Sequence, residues 1–201
     1  MNKAEHQNTN LAIPNTSNIT KPIEIVNKAY ERIAFWTREE MNEKLASMQP
    51  GAYGMLLQFL WRTGVRVSEA TGLTMGDLDF KEEQIRIRWL KNRKYQTRII
   101  PMHSSLKFPL YTFCAKLNKD EKVFPYSRQY VFFLCKKHGF GHPHKIRHSF
   151  AVNFLKQTKS PNGLIILQKL LGHSNIQTTM IYLQVVPFEQ KEAIELIKFD
   201  G

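Results

Sequence analysis

Arg66, His144, Arg147, His173 and Tyr182 are the residues of this chain whose types and spacing could do chemistry together. Arg66 lies in Thr63-Gly64-Val65-Arg66-Val67-Ser68-Glu69, and His144 and Arg147 lie in His144-Lys145-Ile146-Arg147-His148. His173 follows Leu170-Leu171-Gly172, and Tyr182 lies nine residues beyond it. A planar guanidinium donates two parallel hydrogen bonds to phosphate oxygens. Two of them on one phosphate can stabilise a pentacoordinate transition state, much as metal ions do in other phosphoryl-transfer sites. A phenol, with an ordinary pKa of about 10, is a poor nucleophile at neutral pH. Neighbouring cations and a base can activate it. The set suits phosphoryl transfer, although Tyr182 taken alone reads as an amphipathic core tyrosine.

Helix punctuation explains how such residues are held. His144 and Arg147, three apart, share a helix face, while Ile146, Phe150 and Phe154 fall on another face and can carry the core. His148 lies about 100° around from Arg147 and reads as structural. Gly172 supplies the left-handed residue that ends a helix, which fixes His173 just past a rigid stop. Ser174 or Asn175 can cap the next helix, along which Thr178, Thr179 and Tyr182 lie. Glu69, one turn after Arg66, reads as an ion-pair partner that orients it.

Around these lies a mostly α chain with a small antiparallel β-sheet (α+β). The first firm helix start is Thr37-Arg38-Glu39-Glu40, a capping box, and a second helix over Ala52 to Arg62 ends at Gly64. A short helix follows Arg66, and Thr74 to Asp77 is turn-like. Gln84-Ile85-Arg86-Ile87-Arg88-Trp89 alternates apolar and basic residues with period two and predicts a strand. Its expected partner is Thr97 to Pro101, with Lys91 to Gln96 as the connection. Helices are expected near 104–117 (interrupted around Pro109), 127–137, 144–157, 163–171, 175–183 and 188–198. Residues 1–35 read as a polar arm, partly disordered, 36–186 as the domain, and 187–201 as a tail helix.

The chain has 201 residues and a formal net charge of +12, with a pI of about 9.7. Such a field favours a polyanion, and nucleic acid is the usual one. Arg86, Arg88, Arg93, Lys94, Arg98 and Lys145 are the candidate DNA contacts, most of them crowded on the predicted hairpin. Cys114 and Cys135 lie in apolar surroundings without metal-ligand spacing and read as core residues of a reducing compartment. No run approaches the ~18 apolar residues of a membrane span, and the N-terminus lacks a signal-peptide stretch, so a cytoplasmic, nucleoid-associated protein is expected.

The whole constellation, with Thr63-Gly64-Val65-Arg66-Val67-Ser68-Glu69-Ala70-Thr71-Gly72-Leu73 and Leu171-Gly172-His173-Ser174-Asn175-Ile176-Gln177-Thr178-Thr179, resembles the tyrosine recombinase (phage integrase) family, Xer-type and integrase members above all. The resemblance runs from about Thr37 to Val186. It implies a catalytic domain of that fold in which Tyr182 attacks a scissile phosphate, forms a 3′-phosphotyrosyl link and frees a 5′ hydroxyl. Arg66 and Arg147 would clamp the phosphate, His144 assist proton movement, and His173 hydrogen-bond a non-bridging oxygen. A hairpin lysine would protonate the leaving oxygen. Lys91 and Lys94 are the candidates, and Lys91 has the parity of Ile85, Ile87 and Trp89. The bond energy stays in the ester, so no cofactor, metal or ATP is implied. Double-stranded DNA, a homo-tetramer assembled on it and accessory DNA-binding proteins are the implied partners.

One departure is large. Most relatives carry an N-terminal core-binding domain, and some 36 residues before the match are too few for it, so in size the chain resembles single-domain members such as the fimbrial inversion-switch recombinases. Three rivals remain: a type IB topoisomerase with the same chemistry, a catalytically silent DNA-binding factor, and a zinc protein using His142, His144, His148 and His173. The last lacks cysteine pairs and a recognisable ligand spacing.

Overall fold

The computed structural model describes residues 33–48, 51–91, 94–158 and 160–186. The expected arm before residue 33, Arg93 and the tail helix near 188–198 lie outside the described residues.

Helix α1 (Arg38–Ala46) starts as its sequence requires. Thr37 Oγ1 accepts the Glu40 amide at 3.2 Å and Glu40 Oε2 accepts the Thr37 amide at 2.7 Å, so two otherwise unpaired N–H groups are satisfied. Helix α2 (Ala52–Thr63) buries Met55, Leu56, Leu57, Phe59 and Leu60. Each such side chain, removed from water, contributes about 1.5–3 kcal/mol before the cost of ordering it. Gly64 ends α2 in the left-handed region at φ 64°, and a Cβ there would lie 2.2 Å from the Phe150 ring. Only glycine permits both the turn and that approach.

Helix α3 (Val67–Ala70) is a single turn, followed by a 3₁₀ turn (Met75–Asp77). The sheet has the order β1 (Leu78–Asp79), β2 (Gln84–Lys91), β3 (Lys94–Pro101), antiparallel throughout. Ile85, Ile87 and Ile100 are buried, whereas Arg86 and Arg88 face outward, as the alternation predicts. Pairing runs from Gln84–Pro101 to Lys91–Lys94, so the connection is shorter than the expected Lys91 to Gln96. The polar composition of that stretch suggested a loop, but a ladder is made by backbone groups and tolerates polar side chains. Two-residue β1 is too short to leave a period in the sequence.

Among the described residues five further helices follow: α4 (Ser104–Cys114), α5 (Arg128–Lys137), α6 (Pro143–Gln157), α7 (Gly163–Leu171) and α8 (Gln177–Met180). Helix α4 is continuous through Pro109, where an interruption was expected. Leu106, Leu110 and Cys114 are buried on either side of the proline and hold the helix across one missing hydrogen bond. The helix expected at 175–183 is α8 continued as a 3₁₀ turn (Ile181–Gln184), and Tyr182 lies on that turn.

Helix α6 ties the structure together. Ile146 belongs to the main core with α2 and the sheet, while Ala151 and Val152 belong to a second cluster with Leu167, Leu171, Tyr182 and Val185. Ile33 and Phe35 pack on this second cluster, and the Trp36 amide donates to Ser149 Oγ at 2.7 Å, so the packed body begins by Ile33. Both cysteines are buried and unpaired. Among the described residues no helix is long and apolar enough to cross a membrane.

Candidate active site

Arg147 is buried on α6, with acceptors for three of its five guanidinium N–H groups. Its Nη1 donates to the Gly64 carbonyl at 2.6 Å and its Nη2 to the Leu171 carbonyl at 2.8 Å. Both carbonyls stand at helix C-termini, where the partial negative charge offsets a buried cation. Burial, then the nearby Arg66 charge, lowers the Arg147 pKa to about 10, which still leaves it charged at neutral pH. Nη2 also meets His173 Nε2 at 3.0 Å. A guanidinium has only donors, so His173 Nε2 must be the acceptor here. The His173 proton is thereby assigned to Nδ1, which donates to Thr179 Oγ1 at 2.9 Å. Burial first, then Arg147, Arg66 and Arg98, pull His173 down to about 4, so the ring is neutral at pH 7. The rigid stop is as expected: Gly172 adopts φ 66°.

Arg66 is held differently, with its side chain partly exposed toward solvent. Its backbone amide donates to Glu69 Oε2 at 2.8 Å and its Nη1 to Glu69 Oε1 at 3.1 Å, so Glu69 orients it as expected. Burial alone raises the Glu69 carboxyl; the Arg98 hydrogen bonds and charge, followed by Arg66, outweigh it and hold the group below its ordinary value. Arg66, Ser68 and His173 line an open groove of about 1480 Å³ together with Arg88, Trp89 and Gln96 of the β2–β3 hairpin.

Tyr182 is buried, at 2% exposure, and its hydroxyl lies 3.0 Å from His148 Nδ1. Burial raises the phenol above its ordinary value, and the positive charges of Arg147 and Arg66 oppose that rise. Arg66, Arg147, His173 and Tyr182 are therefore brought into one electrostatic neighbourhood from α2–α3, α6, α7 and the 3₁₀ turn. His144 stands beside them, exposed at the start of α6, lowered by burial and then by His142, Arg147 and Arg66. Lys91 ends β2 opposite Lys94, at the tip of the hairpin that faces the groove. Lys94 is exposed.

His148 makes a contact that the sequence reading does not include. The angle from Arg147 reads His148 as structural, and the structure adds a contact that the angle does not reveal, Nδ1 to the Tyr182 hydroxyl. The signal was present: His148 is four residues after His144 and so shares its helix face. The His144 and His148 rings meet at a centroid separation of 6.1 Å.

The expected DNA contacts divide. Arg86 and Arg88 face outward from β2, although Arg88 also pairs with Asp77 at 2.5 Å. Arg98 is not free to contact DNA: both ends of its guanidinium lie on Glu69, its Nε donates to the Leu170 carbonyl at 3.1 Å, and its side chain is 10% exposed. Lys145 lies about 200° around α6 from Arg147, on the other side of the helix. Its Nζ sits 3.2 Å from the centre of the Trp36 ring. His142, His144 and His148 form a ladder of edge-on rings. Among the described residues no group of three His, Cys, Asp or Glu side chains is placed to hold a metal ion, so the zinc alternative gains no support.

Comparison with known proteins agrees with this geometry. The Phage integrase family model matches residues 31–187. A tyrosine recombinase of Pseudothermotoga lettingae is 35% identical over 161 residues, covering 73% of this chain and 54% of that protein. The chain thus spans about half the length of the curated relatives it matches. The catalytic domain of bacteriophage HP1 integrase superposes with a TM-score of 0.62 at 22% identity, covering 82% of this chain and 95% of that one. The Tn1549 transposon integrase, solved with circular intermediate DNA, superposes with a TM-score of 0.61 at 21% identity, covering 81% of this chain and 66% of that one. These two likenesses establish the fold, a tyrosine recombinase catalytic domain. The chain belongs to the phage integrase family of tyrosine recombinases.

Proposed function

We propose that this chain is a site-specific DNA recombinase that cleaves and rejoins DNA through a covalent tyrosine–phosphate link. The observation that carries the reading is the buried Tyr182 hydroxyl within the field of Arg147 and Arg66, the second of which lines an open groove with Arg88, Lys169 and His173. A phosphodiester beside Arg66 would take its outward donors and the Arg147 N–H groups not spent on Gly64, Leu171 and His173. Tyr182 then attacks phosphorus, the 5′ oxygen leaves with a proton from Lys91, and the 3′ phosphate stays on the tyrosine. His144 assists proton movement. His173 contacts a non-bridging oxygen; its Nε2 now accepts from Arg147, so it must first gain a proton or exchange its tautomer with Thr179. An arriving phosphate, being negative, favours the first course.

Double-stranded DNA is the proposed partner. A tetramer on DNA and accessory DNA-binding proteins complete the proposal, supported by family membership. The test is incubation with nicked suicide duplexes tiled across the DNA flanking the coding sequence. A covalent adduct that survives denaturation is expected from wild type and none from Tyr182→Phe. An adduct formed by the Phe variant at the wild-type rate would move the nucleophile elsewhere. Relaxation of any supercoiled plasmid by the monomer, without strand exchange, would instead make it a topoisomerase.

A further inference from the structure

We propose that His148 is a catalytic residue, the group that accepts the phenolic proton when Tyr182 attacks. This rests on the reading of Tyr182 as the nucleophile. The geometry is direct: Nδ1 stands 3.0 Å from the hydroxyl, a hydrogen-bonding distance, and the two rings lie 5.7 Å apart at 56°. His144 makes no such contact; its ring faces His142 and His148. For the phenol to donate, the His148 proton must sit on Nε2, leaving Nδ1 as the acceptor.

The surroundings set when the proton moves. Burial first, then His144, Arg147 and His142, lower His148 to about 4, and burial raises Tyr182. Both groups are neutral at pH 7, and the phenol keeps its proton. These neighbours come from α6 and its N-cap, and Tyr182 faces the ring from the 3₁₀ turn. A bound phosphodiester adds a negative charge beside Arg147 and Arg66. It offsets the Arg147 charge, one of the lesser causes that hold His148 down, and so raises the proton affinity of the ring while burial still lowers it.

The step balances. The Tyr182 oxygen forms a bond to phosphorus, its proton passes to His148 Nδ1, the bond from phosphorus to the 5′ oxygen breaks, and that oxygen takes a proton from the general acid. Religation reverses each transfer, with His148 returning its proton to the departing phenol. No oxidant, reductant or further reactant is needed.

Two measurements test it. In the DNA-free protein, long-range ¹⁵N–¹H correlation spectra, assigned by the signal lost in His148→Gln, should show His148 with an unprotonated Nδ1 and a proton on Nε2. A proton on Nδ1 overturns the proposal whatever the protein does to DNA. With the suicide duplexes, His148→Ala and His148→Gln should slow adduct formation by about 10²–10³, the scale of lost general-base help. Added imidazole should restore His148→Ala at least about tenfold but leave Tyr182→Phe inert. Wild-type rates in the variants overturn it, as does a folded, DNA-binding alanine variant that imidazole cannot restore. The Gln variant keeps the volume and an acceptor, so it reads the chemistry if the alanine variant fails to fold. Absence of an adduct from wild type is a different result: it removes the recombinase reading, while the spectra still decide the hydrogen bond.

Discussion

Arg98 and Glu69 form a two-toothed ion pair beneath the site, with Nη1 to Oε1 at 2.9 Å and Nη2 to Oε2 at 2.8 Å. The same carboxylate takes the backbone and side chain of Arg66. Glu69 is 1% exposed and Arg98 10%, so the pair is buried, and it links β3 to the helix that carries Arg66. Gly172 leaves room for it: a Cβ there would lie 2.7 Å from Arg98 Nη1.

Removing one partner of a buried ion pair costs more than the pair contributes, because the other charge is stranded. Glu69→Ala should lower stability by about 3–5 kcal/mol, since Arg98 then has no counter-charge. Arg98→Met should cost less, about 1–2 kcal/mol, because Glu69 keeps both contacts to Arg66. Urea unfolding monitored by circular dichroism checks the order. Equal losses would show that Arg66 does not support the carboxylate.

Arg98 also marks where sequence reasoning stopped. Beside it, Ile99 and Ile100 are adjacent apolar residues, so period two could not assign a face to β3. The register does: Arg98 is the cross-strand partner of buried Ile87. By contrast, the Thr37 box, the glycine stops at Gly64 and Gly172 and the alternation of β2 are local rules, and they were legible without the fold. The Arg66–Glu69 pair was legible for the same reason, being one helical turn. What joins Arg147 to the carbonyls of Gly64 and Leu171 spans distant parts of the chain. No local pattern encodes it. The angle between His148 and Arg147 was correct, but a contact with Tyr182 depends on where the 3₁₀ turn packs.

The two arginines should differ in what their loss does. Arg147→Ala removes a braced, buried cation whose acceptors at Gly64 and Leu171 are then unpaired, so both stability and adduct formation should fall. Arg66→Ala, partly exposed and held by Glu69, should slow adduct formation by about 10²–10³ with little loss of stability. Arg66→Lys should recover only part of the rate, since a point charge cannot make a forked contact. Adduct rates compared with thermal midpoints separate the two, and equal rates for wild type and Arg66→Ala would remove Arg66 from the clamp.

Acid should destabilise the fold in two stages. His148 and His173 are each held at about 4 in the folded protein, below the ordinary histidine value of about 6.5. Between these values the unfolded chain binds protons that the folded one refuses, so stability falls as the pH drops from about 6.5 to about 4. Glu69 is lowered, so its contribution is present above the ordinary carboxyl value and is lost as the pH falls below it. Midpoints measured from pH 7 to 4 should decline, and His148→Gln should flatten the upper part of the curve. A midpoint independent of pH over that range would contradict the burial of both rings.

The hairpin tip tests the general acid. Lys91 and Lys94 are backbone partners in the last pair of the ladder, directly opposite each other in the register. Parity therefore cannot choose between them, and the chemistry of the leaving group must. A 5′-bridging phosphorothiolate leaves as a thiolate and needs no proton. If Lys91 supplies the proton, Lys91→Ala should cleave the ordinary suicide duplex about 10²-fold more slowly and the sulfur-substituted one at nearly the wild-type rate. Lys94→Ala should then be slowed equally on both, or not at all. Sulfur rescue of Lys94→Ala in its place moves the role to that residue. If neither variant is rescued, the hairpin positions DNA and the leaving oxygen takes its proton elsewhere.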